Sequence, residues 1–570
     1  MKTLKVLLSI IFFFINMGTA FGNEGRLPYF EKKFPKKHCK NSKKYRNYDF
    51  KNDSLKTENG NEGYKDYAKE VKRHLCYKDW TVLVYMAGDN DLSPYSLWDV
   101  YEMERKIKSE LNLGASTKDA DIVVELDTFN RSGVRRLHLF QTNKEYDSTL
   151  TVDDFKMKKE SDIDSPIVKL YKETGRGSLR NAKFRFERFL RWGRRQYPSE
   201  NIMVVIWGHG EGYIGKHFEK SFKREAPPRN SSSNYLNSSE ISLGNTFDKI
   251  PTKYPIDKVF GGIAFDFSDY TFLDLPTLSK IFEESNEYFW GKGGKKIDII
   301  AMDACLMQSI EVGIELRNSS EYIVGSTQIQ NYLGLPYRKI LDAINQESPP
   351  SAFQLVKQLP NLADSSFKEG YQGKVDPKAY ETFTASTLST WQLRNNLLPK
   401  IMQLGYKLES YLDEEPLRVL EMGFLLENSP TFQGETRDIG IFLGTLKKLL
   451  YEEKMGLGLQ SAKAHALDRH IDVVMDGISQ TMMSYAYGSN YVDQGPVQTS
   501  NYLLGFFKGL SIWIPSSKGI FDHRIKEFEQ SIFYRSQFTN GHQNPWRSWL
   551  EKALDPMAGL GDFGDFPLIN

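Results

Sequence analysis

Two short segments of this 570-residue chain carry side chains fit for covalent chemistry. One is Trp207-Gly208-His209-Gly210 and the other is Asp303-Ala304-Cys305. Each follows an apolar run, Ile202 to Trp207 and Ile297 to Met302, of the kind that forms a buried strand. In an open α/β sheet, ligands bind beyond the C-terminal ends of the strands. A thiol and an imidazole at such ends suit nucleophilic acyl transfer. Cys305 would attack a carbonyl carbon, and His209 would manage protons and protonate the leaving amine. Glycine on both sides of His209 leaves its backbone open to a substrate, and the Gly210 and Cys305 amides are candidate donors to a developing oxyanion. Taken singly, each residue has a plainer reading: a turn histidine that ends a strand, and a small buried cysteine. Their joint occurrence after two strong strands favours function.

Asp303 lies two residues before Cys305, and along a strand residues i and i+2 share a face. Its carboxylate would attract a Lys or Arg side chain of a substrate. While unpaired, it would also hold the thiol protonated. The alternative is an aspartate that satisfies backbone amides at the strand end, and the two readings stand level. Asp89-Asn90-Asp91 suggests a calcium loop, but reads rather as turn and helix-cap chemistry. No HExxH, GxSxG, Walker or CxxC pattern occurs, and Gly291 to Lys295 precedes a strand, so it reads as a turn.

The elements that must position these residues can be outlined. Apolar runs at Trp80 to Met86, Asp121 to Leu126, Arg136 to Phe140, Ile202 to Trp207, Gly262 to Asp266 and Ile297 to Met302 read as strands. Helical patterns fall between them, near 94–111, 182–195 and 274–284, the last capped by Asp274. Near-continuous apolar strands alternating with helices predict an α/β fold, a mostly parallel sheet covered on both faces. Beyond about 345 the pattern turns mainly helical, near 352–359, 391–412, 441–453 and 460–486, with one more buried strand at Gly509 to Pro515. The expected organisation is an export signal at 1–22, a basic polar extension or pro-segment at 23–78, a catalytic domain at 79–345 and a C-terminal mainly helical region at 346–570.

Composition bounds the function. Lys plus Arg number 75 against 73 Asp plus Glu, a formal charge of +2, which argues against a chain built to coat nucleic acid. With 40% hydrophobic residues the chain can bury a sizeable core, so wholesale disorder is excluded. Lys2 and Lys5, the apolar run Val6 to Ile15 and Ala20-Phe21-Gly22 follow the layout of a secretory signal peptide cut after Gly22. The run is short of the ~20 residues a spanning helix needs, and no later segment approaches a span. Export would place the three cysteines in an oxidising compartment, where Cys39 and Cys76 can pair and Cys305 is left as a candidate reactive thiol. Residues 216–239 read as an exposed basic loop with Lys216, Lys220, Lys223, Arg224 and Arg229, lying between the histidine and the cysteine.

At Val84 to Leu92 (VYMAGDNDL), Trp207 to Gly210 and Asp303 to Met307, the chain resembles the clostripain family of cysteine peptidases, relatives of caspases, gingipains and legumains. Glu311 to Leu316 and Tyr322 to Val324 continue the likeness, with thinner echoes at 387–389, 437–443 and 509–515. The resemblance implies a caspase-like fold, a His209/Cys305 dyad, cleavage after Arg or Lys, maturation by cutting an internal loop and, in some members, dependence on calcium. It also implies that Asp303 is the acid at the floor of the primary specificity pocket. The chain departs from the family at Leu333, where a second pocket aspartate would align, so Asp303 would bind the cation alone and basic specificity is open to a mixed or more apolar preference. The expected function is an exported cysteine endopeptidase acting on polypeptides, self-processing in the basic loop, with no cofactor called for by a clear site. The alternatives are a degenerate binding scaffold on the same fold, and a transpeptidase or amidase using the same thiol.

Overall fold

The apolar runs read from the sequence become the centre of a nine-stranded sheet, ordered β12-β10-β9-β8-β5-β1-β2-β3-β4. Its strands are β1 (Lys78–Gly88), β2 (Ala120–Thr128), β3 (Val134–His138), β4 (Ile167–Tyr171), β5 (Ser199–Trp207), β8 (Ile297–Asp303), β9 (Ser320–Gly325), β10 (Thr384–Ser389) and β12 (Met482–Tyr487). β6 (Gly262–Asp266) and β7 (Thr271–Asp274) form a separate hairpin, and β11 (Thr436–Asp438) pairs with β13 (Ser511–Trp513). The computed structural model describes residues 77–105, 115–117, 119–128, 134–139, 163–165, 167–171, 182–213, 261–266, 271–368, 378–414, 416–432, 435–457, 462–488, 505–529, 531–535 and 543–555, with a few single positions between. The expected export signal, all but the last two residues of the 23–78 extension, Cys39, Cys76 and the basic loop with Lys216, Lys220, Lys223, Arg224 and Arg229 lie outside the described residues.

The central five strands, β9-β8-β5-β1-β2, run parallel. Antiparallel pairings add β3 and β4 on one flank and β10 and β12 on the other. Strand side chains alternate between faces, and β1 shows the consequence. Its Leu83, Tyr85 and Ala87 enter one core with Phe186 and Phe189 of α1 (Ala182–Gln196) and Leu278 and Phe282 of α2 (Leu275–Trp290). Its Trp80, Val82, Val84 and Met86 enter the other, with Ile340 and Leu341 of α3 (Tyr337–Ile344) and Leu355 and Val356 of α4 (Ala352–Lys368). The helix Ser93–Glu104, which follows β1, adds Val100 and Met103 to that second core. Each fully buried aliphatic side chain stabilises the fold by ~1.5–3 kcal/mol.

Several expectations need correction. Gly262 to Asp266 is a strand, but in the hairpin with β7 and outside the main sheet. The strand expected at Gly509 to Pro515 shrinks to Ser511–Trp513, likewise outside the main sheet. The helix expected to run to 486 stops at Thr481, and Met482–Tyr487 is a strand. The span 391–412 is broken by a π-helical turn at Leu393–Leu397 before the helix Leu398–Leu412. The region beyond 345 is mainly helical and also supplies β10 and β12 to the nine-stranded sheet. Asp274 caps α2 as expected, its Oδ1 accepting from Thr277 N at 2.8 Å. Among the described residues no helix is long and apolar enough to cross a membrane.

Candidate active site

β1, β5 and β8 lie side by side and point the same way. Trp207 at the end of β5 stands in register with Met86 of β1 and with Asp303 of β8. The loops that leave these three strands therefore start level, along one edge. Gly208 N donates to the Asp303 carbonyl at 3.2 Å, tying the histidine loop to the cysteine loop.

His209 lies in a short antiparallel pairing with β6, in which Ala264 N donates to the His209 carbonyl at 3.0 Å and Glu211 N to the Gly262 carbonyl at 3.0 Å. These bonds straddle Gly210 and do not use its amide, which suits the oxyanion role expected of it. Gly210 is held against the cysteine loop. A Cβ there would lie 2.7 Å from Ala304 Cβ and 2.8 Å from the Cys305 carbonyl oxygen. Gly210→Ala is therefore expected to push the two loops apart, lowering kcat/KM by about tenfold or more, since small misplacements of reacting groups cost on that scale. A variant with wild-type kcat/KM would show that the close approach is without effect on activity.

The imidazole is 31% exposed, and its Nε2 lies 2.7 Å from Asp91 Oδ1, whose side chain is 41% exposed. From the sequence alone, Asp91 reads as a turn residue. It sits in the loop after β1, anchored by Asn90, whose Nδ2 donates to the Ala87 carbonyl at 2.8 Å and the Phe265 carbonyl at 2.7 Å. The signal available was its place just past an apolar strand, the same kind of place as His209 and Cys305.

Cys305 turns away from β8 just before Leu306, which holds a left-handed φ of 62° that a branched side chain adopts only at a cost. Leu306 N donates to the Gln328 carbonyl at 3.1 Å, and Cys305 Sγ accepts from Gln330 N at 3.3 Å. The sulfur packs beside an apolar cluster of Leu306, Phe432, Ile441 and Phe507, with Tyr485 and Tyr487 on its border. Burial pushes the Cys305 thiol up to about 11. The Gln330 amide opposes that rise, and the charges of Glu211 and Asp303 add to it. A thiol so placed needs a proton acceptor to react near neutrality.

Asp303 is 4% exposed. Its Oδ2 accepts from Leu335 N at 3.0 Å and from the Tyr337 hydroxyl at 2.8 Å, and its Oδ1 from Gln330 Nε2 at 3.4 Å. Asp303 thus satisfies a backbone amide at the strand end, and it shares the contact residue Gln330 with Cys305. Burial raises its carboxyl to about 6 against the pull of those donors. Gly334 makes the enclosure feasible. It holds a φ of 62°, and a Cβ there would lie 2.6 Å from Asp303 Oδ2. Beneath, Asp99 accepts from Trp207 Nε1 at 2.7 Å and is raised by burial and by the charge of Asp303. Leu333, aligned from the sequence with a second pocket acid, is 1% exposed and turned into a cluster with Trp98, Tyr101, Phe367 and Phe383.

For a metal, the carboxylates of Asp89, Asp127 and Asp266 are all buried, with oxygens within 4.8 Å of one another. Arg185 already donates to Asp127 and, at 2.7 Å, to Asp266. This group draws Asp89 from just past β1, Asp127 from the end of β2 and Asp266 from the last position of β6, and includes neither Asp91 nor His209.

No curated protein matches the chain. Solved structures similar to it include an inactive zymogen C11 protease from Parabacteroides distasonis, at 14% identity and a TM-score of 0.46, covering 80% of this chain and 98% of that one. Another is a secreted C11 cysteine protease from Bacteroides thetaiotaomicron, at 15% identity and a TM-score of 0.47, with the same coverage. The sequence profile of the clostripain family matches residues 84–248 and 250–403, which together make up more than half of the chain. The chain belongs to the clostripain family of cysteine peptidases.

Proposed function

We propose that the chain is an exported cysteine endopeptidase that hydrolyses peptide bonds through Cys305 and His209 and prefers Lys or Arg before the scissile bond. The observation that carries this reading is the meeting of the β5 and β8 ends, where Gly208 N bonds the Asp303 carbonyl and Gly210 rests on the Cys305 carbonyl. His209 takes the thiol proton, and the sulfur attacks the peptide carbonyl. The oxyanion points at the Gly210 and Cys305 amides. The carbon–nitrogen bond then breaks as His209 returns the proton to the amine. Water, deprotonated by His209, cleaves the resulting thioester and frees Cys305. A substrate cation reaches Asp303 by displacing the Gln330 side chain, the longest of the three contacts to that carboxylate. Self-processing at Lys216, Lys220, Lys223, Arg224 or Arg229 belongs to the same proposal, because these residues lie in the chain between His209 and Cys305. Export rests on the N-terminal segment at 1–22.

A peptide-library cleavage profile of the wild type against Cys305→Ala tests the reading. The wild type is expected to cut after Lys and Arg and to be labelled at Cys305 by a peptidyl electrophile, and the variant to do neither. Cutting that persists in Cys305→Ala would remove the mechanism. Cuts confined to apolar residues would keep the thiol chemistry and remove the role of Asp303. Absence of both cutting and labelling would favour the scaffold. Equal fragmentation of the two proteins on storage would remove self-processing.

A further inference from the structure

We infer that Asp91 is a positioning residue for His209, so that the machinery is a row of carboxylate, imidazole and thiol. The inference rests on the roles proposed above for His209 and Cys305. Three adjacent parallel strands, β1, β5 and β8, each deliver one of these side chains from the loop at its C-terminal end. The order across the sheet is the order of a carboxylate–imidazole–thiol triad: orienting acid, base, nucleophile. Asp91 Oδ1 lies 2.7 Å from His209 Nε2. A carboxylate accepts and cannot donate, so in the neutral ring this contact selects the tautomer with the proton on Nε2 and the lone pair on Nδ1. Nδ1 is then the atom that takes the Cys305 proton. The imidazolium formed at that moment is stabilised by the negative charge already beside it.

The acid is held for this purpose. Asn90 fixes the loop through its Nδ2 contacts to the Ala87 and Phe265 carbonyls, and its Oδ1 accepts from Leu92 N at 2.9 Å. Ser93 N donates to the Asn90 carbonyl at 3.2 Å, and the helix Ser93–Glu104 begins there. Asp91 stands between two anchored residues. Asp89, two residues earlier, is turned instead into the buried group with Asp127 and Asp266 around Arg185. Both partners of the Asp91–His209 contact are partly exposed, so water weakens the electrostatic part, and orientation of the ring carries most of the effect.

The test compares Asp91→Ala, Asp91→Asn and Asp91→Glu in the full-length protein, by kcat and KM on a peptide substrate and by the rate at which iodoacetamide alkylates Cys305 at neutral pH. Asp91→Ala is expected to lower kcat by about 10- to 100-fold, the scale of a lost orienting partner, with KM within about twofold. Asp91→Asn should fall as far, because an amide can donate to Nε2 and stabilise the opposite tautomer. Asp91→Glu should recover part of the loss. Alkylation of Cys305 should slow in step with kcat. Values of kcat and alkylation within twofold of wild type in both Asp91→Ala and Asp91→Asn would overturn the inference, as would a rise in KM at unchanged kcat, which marks a substrate contact. A wild type that cuts no peptide, yet whose Cys305 alkylation still slows in Asp91→Ala, would sink the peptidase reading and leave the positioning role standing.

Discussion

His209→Ala is expected to lower kcat/KM by about 10³ or more. The size follows from the state of the thiol. Burial pushes Cys305 up to about 11, so near pH 7 its unaided thiolate fraction is on the order of 10⁻⁴. In the proposed mechanism the His209 imidazole relieves this by accepting the proton as the sulfur attacks. Without it the sulfur must ionise into water, with Glu211 and Asp303 both opposing the new negative charge. The signature is a pH profile. In the variant, alkylation of Cys305 should rise about tenfold per pH unit with no plateau before about pH 10. A plateau below pH 8, or a loss of activity under tenfold, would show that His209 is not the proton acceptor.

The second large effect concerns stability. Aligned on sequence alone, Leu333→Asp looks like the restoration of a missing specificity acid. The structure leads to the opposite expectation. Leu333 is buried among Trp98, Tyr101, Phe367 and Phe383, and its carbonyl accepts from Gln372 Nε2 at 2.8 Å. An aspartate there loses the packing of a core leucine and places a carboxylate in an apolar cluster. The expected loss is at least ~3 kcal/mol, with Leu333→Ala losing ~2–5 kcal/mol from the cavity alone. Urea unfolding measures both. A Leu333→Asp protein as stable as the wild type and more selective for Lys or Arg would place residue 333 in the pocket and refute the burial argument.

The contrast shows what the sequence carries. β1, β2, β5 and β8 were legible because strands buried on both faces read as continuous apolar runs. β10 was not, because its segment Thr384 to Ser389 is mostly hydroxyl and alanine. It is buried through hydrogen bonds, such as Ser386 to the Gly509 carbonyl and Thr387 to the Val356 carbonyl. β12 was hidden because Met482 and Met483 extend the apolar pattern of the helix before it, so no local signal marks the switch from helix to strand. His209 and Cys305 were legible as reactive types at strand ends. Asp91 was not assigned to them, because its role depends on β1 lying next to β5. Strand order is set by tertiary packing, and nothing in the local spacing of Asp89-Asn90-Asp91 encodes it.

The pairing of β5 with β8 has one further consequence. Met203 to Trp207 and Ile299 to Asp303 are matched residue for residue across that boundary, yet 91 positions of chain separate Trp207 from residue 299. A break anywhere between residues 214 and 260 would leave two polypeptides woven into a common sheet, with Asp91 and His209 on one and Cys305 on the other. Such a nicked molecule would migrate as two bands in detergent and as a single particle without it, and its activity would survive the loss of covalent continuity.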